Sequence, residues 1–133
     1  MDFTSEQIER YSRQIVLKEI GGIGQKKLLD SKITIIGCGG LGSPAAYYLT
    51  AAGIGSIKIV DFDVVELSNL HRQILHFNND LNKKKTQSAY EKLHKLNPDV
   101  NIEVIKINDG WKNRSLFFVW LPLTNFTLEP DDL

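Results

Sequence analysis

The sequence is short of sulfur and of net charge, and each shortage closes off a class of protein. One cysteine, Cys38, stands among the 133 residues, so neither an internal disulfide nor a CxxC zinc site can form within the chain. A reducing compartment suits such a chain. Lys plus Arg and Asp plus Glu both number 16, for a formal net charge of zero. No long-range field is therefore available to grip a nucleic-acid backbone or an anionic bilayer, and any anion must be held by local geometry. The longest apolar run, Leu116 to Leu123, passes through Pro122 and falls well short of the roughly twenty residues that span a membrane. Met1-Asp2-Phe3-Thr4-Ser5-Glu6-Gln7 is acidic and polar where a secretory signal is basic and then apolar. Together these readings predict a cytoplasmic chain with no nucleic-acid or membrane partner.

What is present reads as one packed domain. Hydrophobic residues make up 42% and charged residues 24%, the balance of a globular chain rather than a disordered or coiled-coil one. Thr4 and Gln7 form a capping-box signature, and Ile8, Tyr11 and Ile15 recur behind them at helical spacing. The pattern predicts a first helix to about Ile20, with Arg10 and Arg13 opposite its apolar stripe. Gly21-Gly22-Ile23-Gly24 is expected to break that helix, with a short second helix over Lys26 to Leu29. Ile33 to Ile36 reads as a buried parallel strand, and Pro44 to Ala52 as a helix stopped by Gly53. Ser56 to Val60 predicts a second strand, Lys85 to Leu96 a helix closed by Pro98, and Asn101 to Ile107 a third strand. The fold class is therefore α/β: one βαβαβ half of a Rossmann-like, doubly wound, mostly parallel sheet, preceded by N-terminal helices. From Asp109 to Leu133 the composition shifts, with Trp111, Phe117, Phe118, Trp120 and Phe126 among the chain's aromatics. Leu116 to Leu121 suggests a fourth strand whose end Pro122 confines to a sheet edge.

Between the first strand and its helix stands Gly37-Cys38-Gly39-Gly40-Leu41-Gly42, which satisfies G-x-G-x-x-G through Gly37, Gly39 and Gly42. The first glycine permits the tight turn, the second admits a phosphate close to the backbone, and the third lets helix and strand approach. The helix N-terminus adds roughly half a positive charge at that point. Asp61 ends the next strand, where a carboxylate can accept bonds from ribose hydroxyls. The plainer reading is that the glycines only shape a turn and Asp61 only caps a strand. A dinucleotide-binding half of an NAD or FAD oxidoreductase would also carry these features. Against it stand Arg72, within Ser68-Asn69-Leu70-His71-Arg72-Gln73, and Lys85 further on. Two cations returning to the loop of a neutral protein suit a triphosphate better than a pyrophosphate held by backbone, so ATP is preferred to NAD.

These linked motifs resemble the ThiF/MoeB-type adenylyltransferases, relatives of the ubiquitin-activating enzymes. The likeness is carried by Arg10-Tyr11-Ser12-Arg13-Gln14, the glycine loop, Asp61-Phe62-Asp63, the Ser68 to Gln73 stretch, and Lys85 with Ser88-Ala89. It implies an enzyme that binds ATP and magnesium. The C-terminal glycine carboxylate of a small ubiquitin-like sulfur carrier, ending Gly-Gly, attacks the α-phosphate, giving an acyl-adenylate and pyrophosphate. It puts Gly37, Gly39, Gly40, Gly42, Asp61, Asp63, Asn69, Arg72 and Lys85 on the nucleotide. Arg72, Lys85 and Arg13 take the catalytic roles, Arg13 reaching the γ-phosphate bound by a neighbouring subunit, and this implies a homodimer. The family's fourth-strand magnesium aspartate, substrate half and cysteine pairs have no recognisable counterpart after Asn108. The chain thus divides into a nucleotide-binding domain over 1–108, incomplete relative to the family, and a divergent aromatic-rich tail over 109–133. It reads as a truncated or partner-dependent form; a non-catalytic nucleotide-binding module or partner subunit is the alternative. No metal ligands are assigned to protein side chains: His71, His76, His94 and Cys38 have no ligand spacing. Cys38 reads as a small filler in the loop, and Lys83-Lys84 as a solvated helix start.

Overall fold

The computed structural model describes residues 3–105 and 120–122. Helix α1 (Ser5–Ile15) begins as its capping box requires: the Gln7 amide donates to Thr4 Oγ1 at 3.1 Å, and the Thr4 amide donates to Gln7 Oε1 at 3.1 Å. The helix ends at Ile15, short of the expected Ile20. Val16 and Leu17 are exposed, so no buried stripe repays its continuation, and 16–20 turn instead. The glycine run then opens α2 (Gly21–Asp30) rather than breaking a helix. Glycines in a first turn escape most of the cost, about 1 kcal/mol each, that they carry in a helix interior.

Strands β1 (Lys32–Ile36), β2 (Ser56–Val60) and β3 (Asn101–Ile105) alternate with α3 (Gly42–Ala52) and α4 (Lys85–Leu96). β1 pairs parallel with β2, and β2 with β3. A short β4 (Trp120–Pro122) pairs antiparallel with β1, giving the order β3-β2-β1-β4. Pro122 thus lies on an edge strand, where a missing N–H is tolerated. Ile33, Thr34 and Ile35 are buried in succession, because β1 is covered on both faces, as an inner parallel strand must be. Ile57, Ile59, Leu75, Ala89, Leu93, Val100 and Ile102 complete one core. The ends of β3 beyond Ile105 and of the expected fourth strand before Trp120, and the remaining tail aromatics, lie outside the described residues.

Helix α1 grips the C-terminal ends of the two crossover helices. Gln14 Nε2 donates to the Ala52 carbonyl at 3.2 Å, and Gln25 Nε2 of α2 joins it at 3.0 Å. Arg10 donates to the Leu96 carbonyl at 3.3 Å. The buried Tyr11 hydroxyl accepts from Asn97 Nδ2 at 2.9 Å, and the same amide donates to the Thr50 carbonyl. Orphan carbonyls at two helix ends are satisfied this way. No helix among the described residues is long and apolar enough to cross a membrane.

Candidate functional site

The opposite pole, at the C-terminal ends of β1 and β2, is where parallel α/β sheets open a crevice. The chain leaves β1 through Gly37, whose φ of +93° favours glycine and whose amide donates to the Val60 carbonyl at 2.7 Å. It returns into α3 at Gly42, where a Cβ would stand 1.7 Å from the Gly37 carbonyl oxygen. No other residue fits there. Gly39 and Gly40 differ: a Cβ on either would meet only ordinary contacts, Gln73 Nε2 at 3.8 Å and the Arg72 side chain at 3.6 Å. The fold itself does not demand glycine at these two positions.

Cys38 anchors the loop through its backbone. Its amide donates to Asp61 Oδ2 at 2.6 Å, while Asp61 Oδ1 accepts the Asp63 amide at 2.8 Å. Its carbonyl accepts from Ser43 Oγ at 2.8 Å and faces His76 Nε2 at 3.0 Å. The thiol is fully buried, and burial, followed by the Asp61 charge, pushes its ionisation well up. Cys38 is therefore no nucleophile.

Asn69 shapes the turn that delivers Arg72. Its Oδ1 accepts the Glu66 amide at 3.1 Å, and its carbonyl accepts the Arg72 and Gln73 amides at 3.2 and 3.0 Å. The Arg72 stem lies along Gly40, with Nη1 donating to the Ser68 carbonyl at 3.1 Å. Gln73 is buried, and its Oε1 has no partner among the described residues. Lys85 arrives by another route: Val64 bridges Lys84, and the Lys85 amide donates to the Asp63 carbonyl at 2.9 Å. Its ammonium, buried at the start of α4, pairs with Asp63 Oδ2 at 2.9 Å. Hence Gly37, Gly39, Gly40, Gly42, Asp61, Asp63, Asn69, Arg72 and Lys85 gather at one end of the sheet. Arg13 stays apart: it is exposed on α1, and its side chain makes no hydrogen bond or ion pair among the described residues.

Residues 11–118 match the ThiF family. The chain belongs to it. Over 105 residues it is 49% identical to the molybdopterin-synthase adenylyltransferase of Haemophilus influenzae, a match covering 79% of this chain and 43% of that protein. The sulfur carrier protein ThiS adenylyltransferase of Escherichia coli is 50% identical over 97 residues, covering 73% and 39% of the two chains. A solved structure of Escherichia coli MccB with AMPCPP and MccA superposes with a TM-score of 0.68 at 34% identity, covering 76% of this chain and 31% of that one. This ThiF-family chain thus spans about two-fifths of the length of these two curated relatives.

Sequence reasoning did not single out Ser43 or the roles of His76 and Ser88. His76 had entered only as a metal candidate, yet both its ring nitrogens are engaged, with Ser88 Oγ at 2.8 Å and the Cys38 carbonyl. His94 stacks on Tyr90 instead, with ring centroids 5.8 Å apart. A lone histidine in a polar stretch carries no spacing signal that would have revealed this.

Proposed function

We propose that this chain is the nucleotide-binding part of an ATP-dependent adenylyltransferase. It activates the C-terminal glycine carboxylate of a small ubiquitin-like sulfur-carrier protein. One observation carries the reading: Gly39 and Gly40 are bare where the fold permits a side chain, and Arg72 lies directly against Gly40. Bare backbone beneath an arginine suits a phosphate chain, which takes its bonds from main-chain N–H groups and a guanidinium. The AMPCPP named with MccB, an ATP analogue, supports the same ligand class, and the adenylyltransferase names of the relatives support the chemistry.

In the proposed reaction a carboxylate oxygen of the carrier forms a bond to the α-phosphorus, and the bond to the α,β-bridging oxygen breaks. Pyrophosphate leaves with that electron pair. No protein base is required, because a carboxylate is already ionised at neutral pH. Arg72 and Lys85 offset charge moving onto the leaving group, Asn69 holds the turn that aims Arg72, and Asp61 faces the ribose while clamping the loop. Catalysis is then positioning and electrostatic stabilisation. Among the described residues no three His, Cys, Asp or Glu side chains converge as metal ligands, and Asp63 already pairs with Lys85. Magnesium carried in with ATP would need only one or two carboxylates beside the phosphates.

Arg13 fits a role in trans. Its neighbour Gln14 bonds the last residue of α3, whereas the glycine loop adjoins the first, and an eleven-residue helix is about 16 Å long. Arg13 therefore lies about a helix length from its own chain's glycine loop, and the proposal gives it the nucleotide of a second subunit in a homodimer. Exchange of labelled pyrophosphate into ATP tests the reading: exchange that requires a Gly-Gly-ended carrier is expected. ATP binding without exchange would favour a non-catalytic subunit, and NADH binding without ATP binding an oxidoreductase half.

A further inference from the structure

A buried chain of hydrogen bonds runs from the surface of α4 to the glycine loop, through residues to which the proposed reaction gives no part. Lys92 Nζ pairs with Asp80 and donates to Ser88 Oγ at 3.0 Å. Ser88 Oγ lies 2.8 Å from His76 Nδ1, and His76 Nε2 lies 3.0 Å from the Cys38 carbonyl. Cys38 and Ser88 are fully buried, and His76 is 3% exposed.

For a neutral ring the donor and acceptor inventory leaves this chain one polarity. A carbonyl only accepts, so the nitrogen facing Cys38 must carry the proton. An ammonium only donates, so Ser88 Oγ accepts from Lys92 and has its own O–H free to give to Nδ1. A neutral ring, the form that burial and the neighbouring lysines favour, is thereby the Nε2–H tautomer. A charged ring would instead donate from Nδ1 to the second lone pair of Ser88 and turn the Ser88 proton toward Asp80.

We propose that His76 is a positioning residue for the nucleotide loop: its neutral Nε2–H tautomer, set by Lys92 through Ser88, holds the Cys38 carbonyl and so fixes how the loop presents its amides. With Ser43 donating to the same oxygen, both lone pairs of the carbonyl are used. The Cys38 amide is fixed from the other side by Asp61, so the peptide units flanking Cys38 cannot rotate. The ionic groups bearing on the ring are Lys92 and Lys85 of α4 and Asp61 at the end of β2. Burial first, and then the two lysines, hold its ionisation below the ordinary histidine value, against the Cys38 carbonyl and Asp61. The inference rests on the reading that this loop binds a nucleotide, and its test separates the two.

Long-range nitrogen NMR of the full chain reports the ring's tautomer without any ligand, and calorimetry reports Mg-ATP affinity. At about pH 7.5 the wild type is expected to show a neutral Nε2–H ring. In His76→Leu the Mg-ATP affinity should fall about tenfold, whereas His76→Gln, whose amide can still donate to Cys38, should stay within about threefold of wild type. Affinity of the wild type should also weaken, relative to His76→Gln, as pH falls below the ordinary histidine value of 6.5 and the ring charges. If His76→Leu does not fold, Ser88→Ala serves, with loss of the single tautomer and a parallel loss of affinity. An Nδ1–H or charged ring at pH 7.5 overturns the proposal, as does leucine binding as tightly as wild type, or glutamine as poorly as leucine. A wild type with the expected ring but no Mg-ATP binding overturns the nucleotide reading and the positioning role with it, while leaving the hydrogen-bond chain established.

Discussion

The Cys38 amide and the Asp61 carboxylate, 2.6 Å apart, tie the glycine loop to the end of the neighbouring strand. Asp61 uses its second oxygen on the Asp63 amide, so one buried carboxylate sets the relative position of the loop and of the segment that carries Lys85's partner. Asp61→Asn replaces one acceptor with a donor facing an N–H group. The expected loss is about 1–3 kcal/mol of stability, read by urea denaturation, with weaker binding of ATP and adenosine alike. Unchanged stability would contradict the clamp, and unchanged adenosine affinity would contradict the ribose role.

The glycines divide into two kinds, and substitution should separate them. Gly42→Ala forces a Cβ to 1.7 Å from the Gly37 carbonyl oxygen, so it should cost more than about 3 kcal/mol, beyond the usual range for a single substitution. Gly39→Ala meets nothing closer than 3.8 Å and should melt within a few degrees of wild type, yet lose Mg-ATP affinity. Thermal melts beside calorimetry check both; a Gly39→Ala chain that binds as tightly as wild type would argue against a phosphate lying there.

Arg72→Ala and Lys85→Ala should each weaken ATP by about 1.5–3 kcal/mol, the worth of a charge-assisted bond, and leave adenosine nearly unaffected. Equal losses for the two ligands would contradict phosphate roles for these cations.

Acid should destabilise the chain in two windows. His76 is held below the usual histidine value, so the unfolded chain takes up its proton first and stability falls as pH drops from about 6.5. Burial disfavours the charge on Asp80, but Lys92 and the Phe77 amide outweigh it and bring the carboxyl from 3.8 to about 2. That contribution is present above 3.8 and is lost as pH falls through about 2. Lys92→Met should cost about 1.5–3 kcal/mol at neutral pH, because it leaves Asp80 with the 3.5 Å Lys83 contact and the Phe77 amide, and should blunt the lower window. Denaturation midpoints measured across pH, in both proteins, check the assignment.

Strands and crossover helices were legible because their signals are local. Ser56 to Val60 and Lys85 to Leu96 carry strong periodicity and clear stops, and both stand as read. The end of α1 was not legible, since Val16 and Leu17 look like a continuing stripe and only tertiary packing leaves them exposed. The glycine run opening α2 misled for a related reason: its cost depends on position within the helix. In Arg10-Tyr11-Ser12-Arg13-Gln14 the sequence marked a motif but not its division of labour. Arg10, Tyr11 and Gln14 bind helix ends, and Arg13 is left to solvent. The contacts made by His76, Ser88 and Lys92 join residues from three separate segments, Cys38 in the glycine loop among them, and no pattern along the chain announces them.

In the proposed site the backbone between Gly37 and Gly42, with Arg72 and Lys85, binds a triphosphate. Calorimetric titration of the folded chain with Mg-ATP tests it most directly. Saturable binding near one per chain is expected, weakened by Gly39→Ala and by Arg72→Ala. No heat of binding at millimolar nucleotide would contradict it.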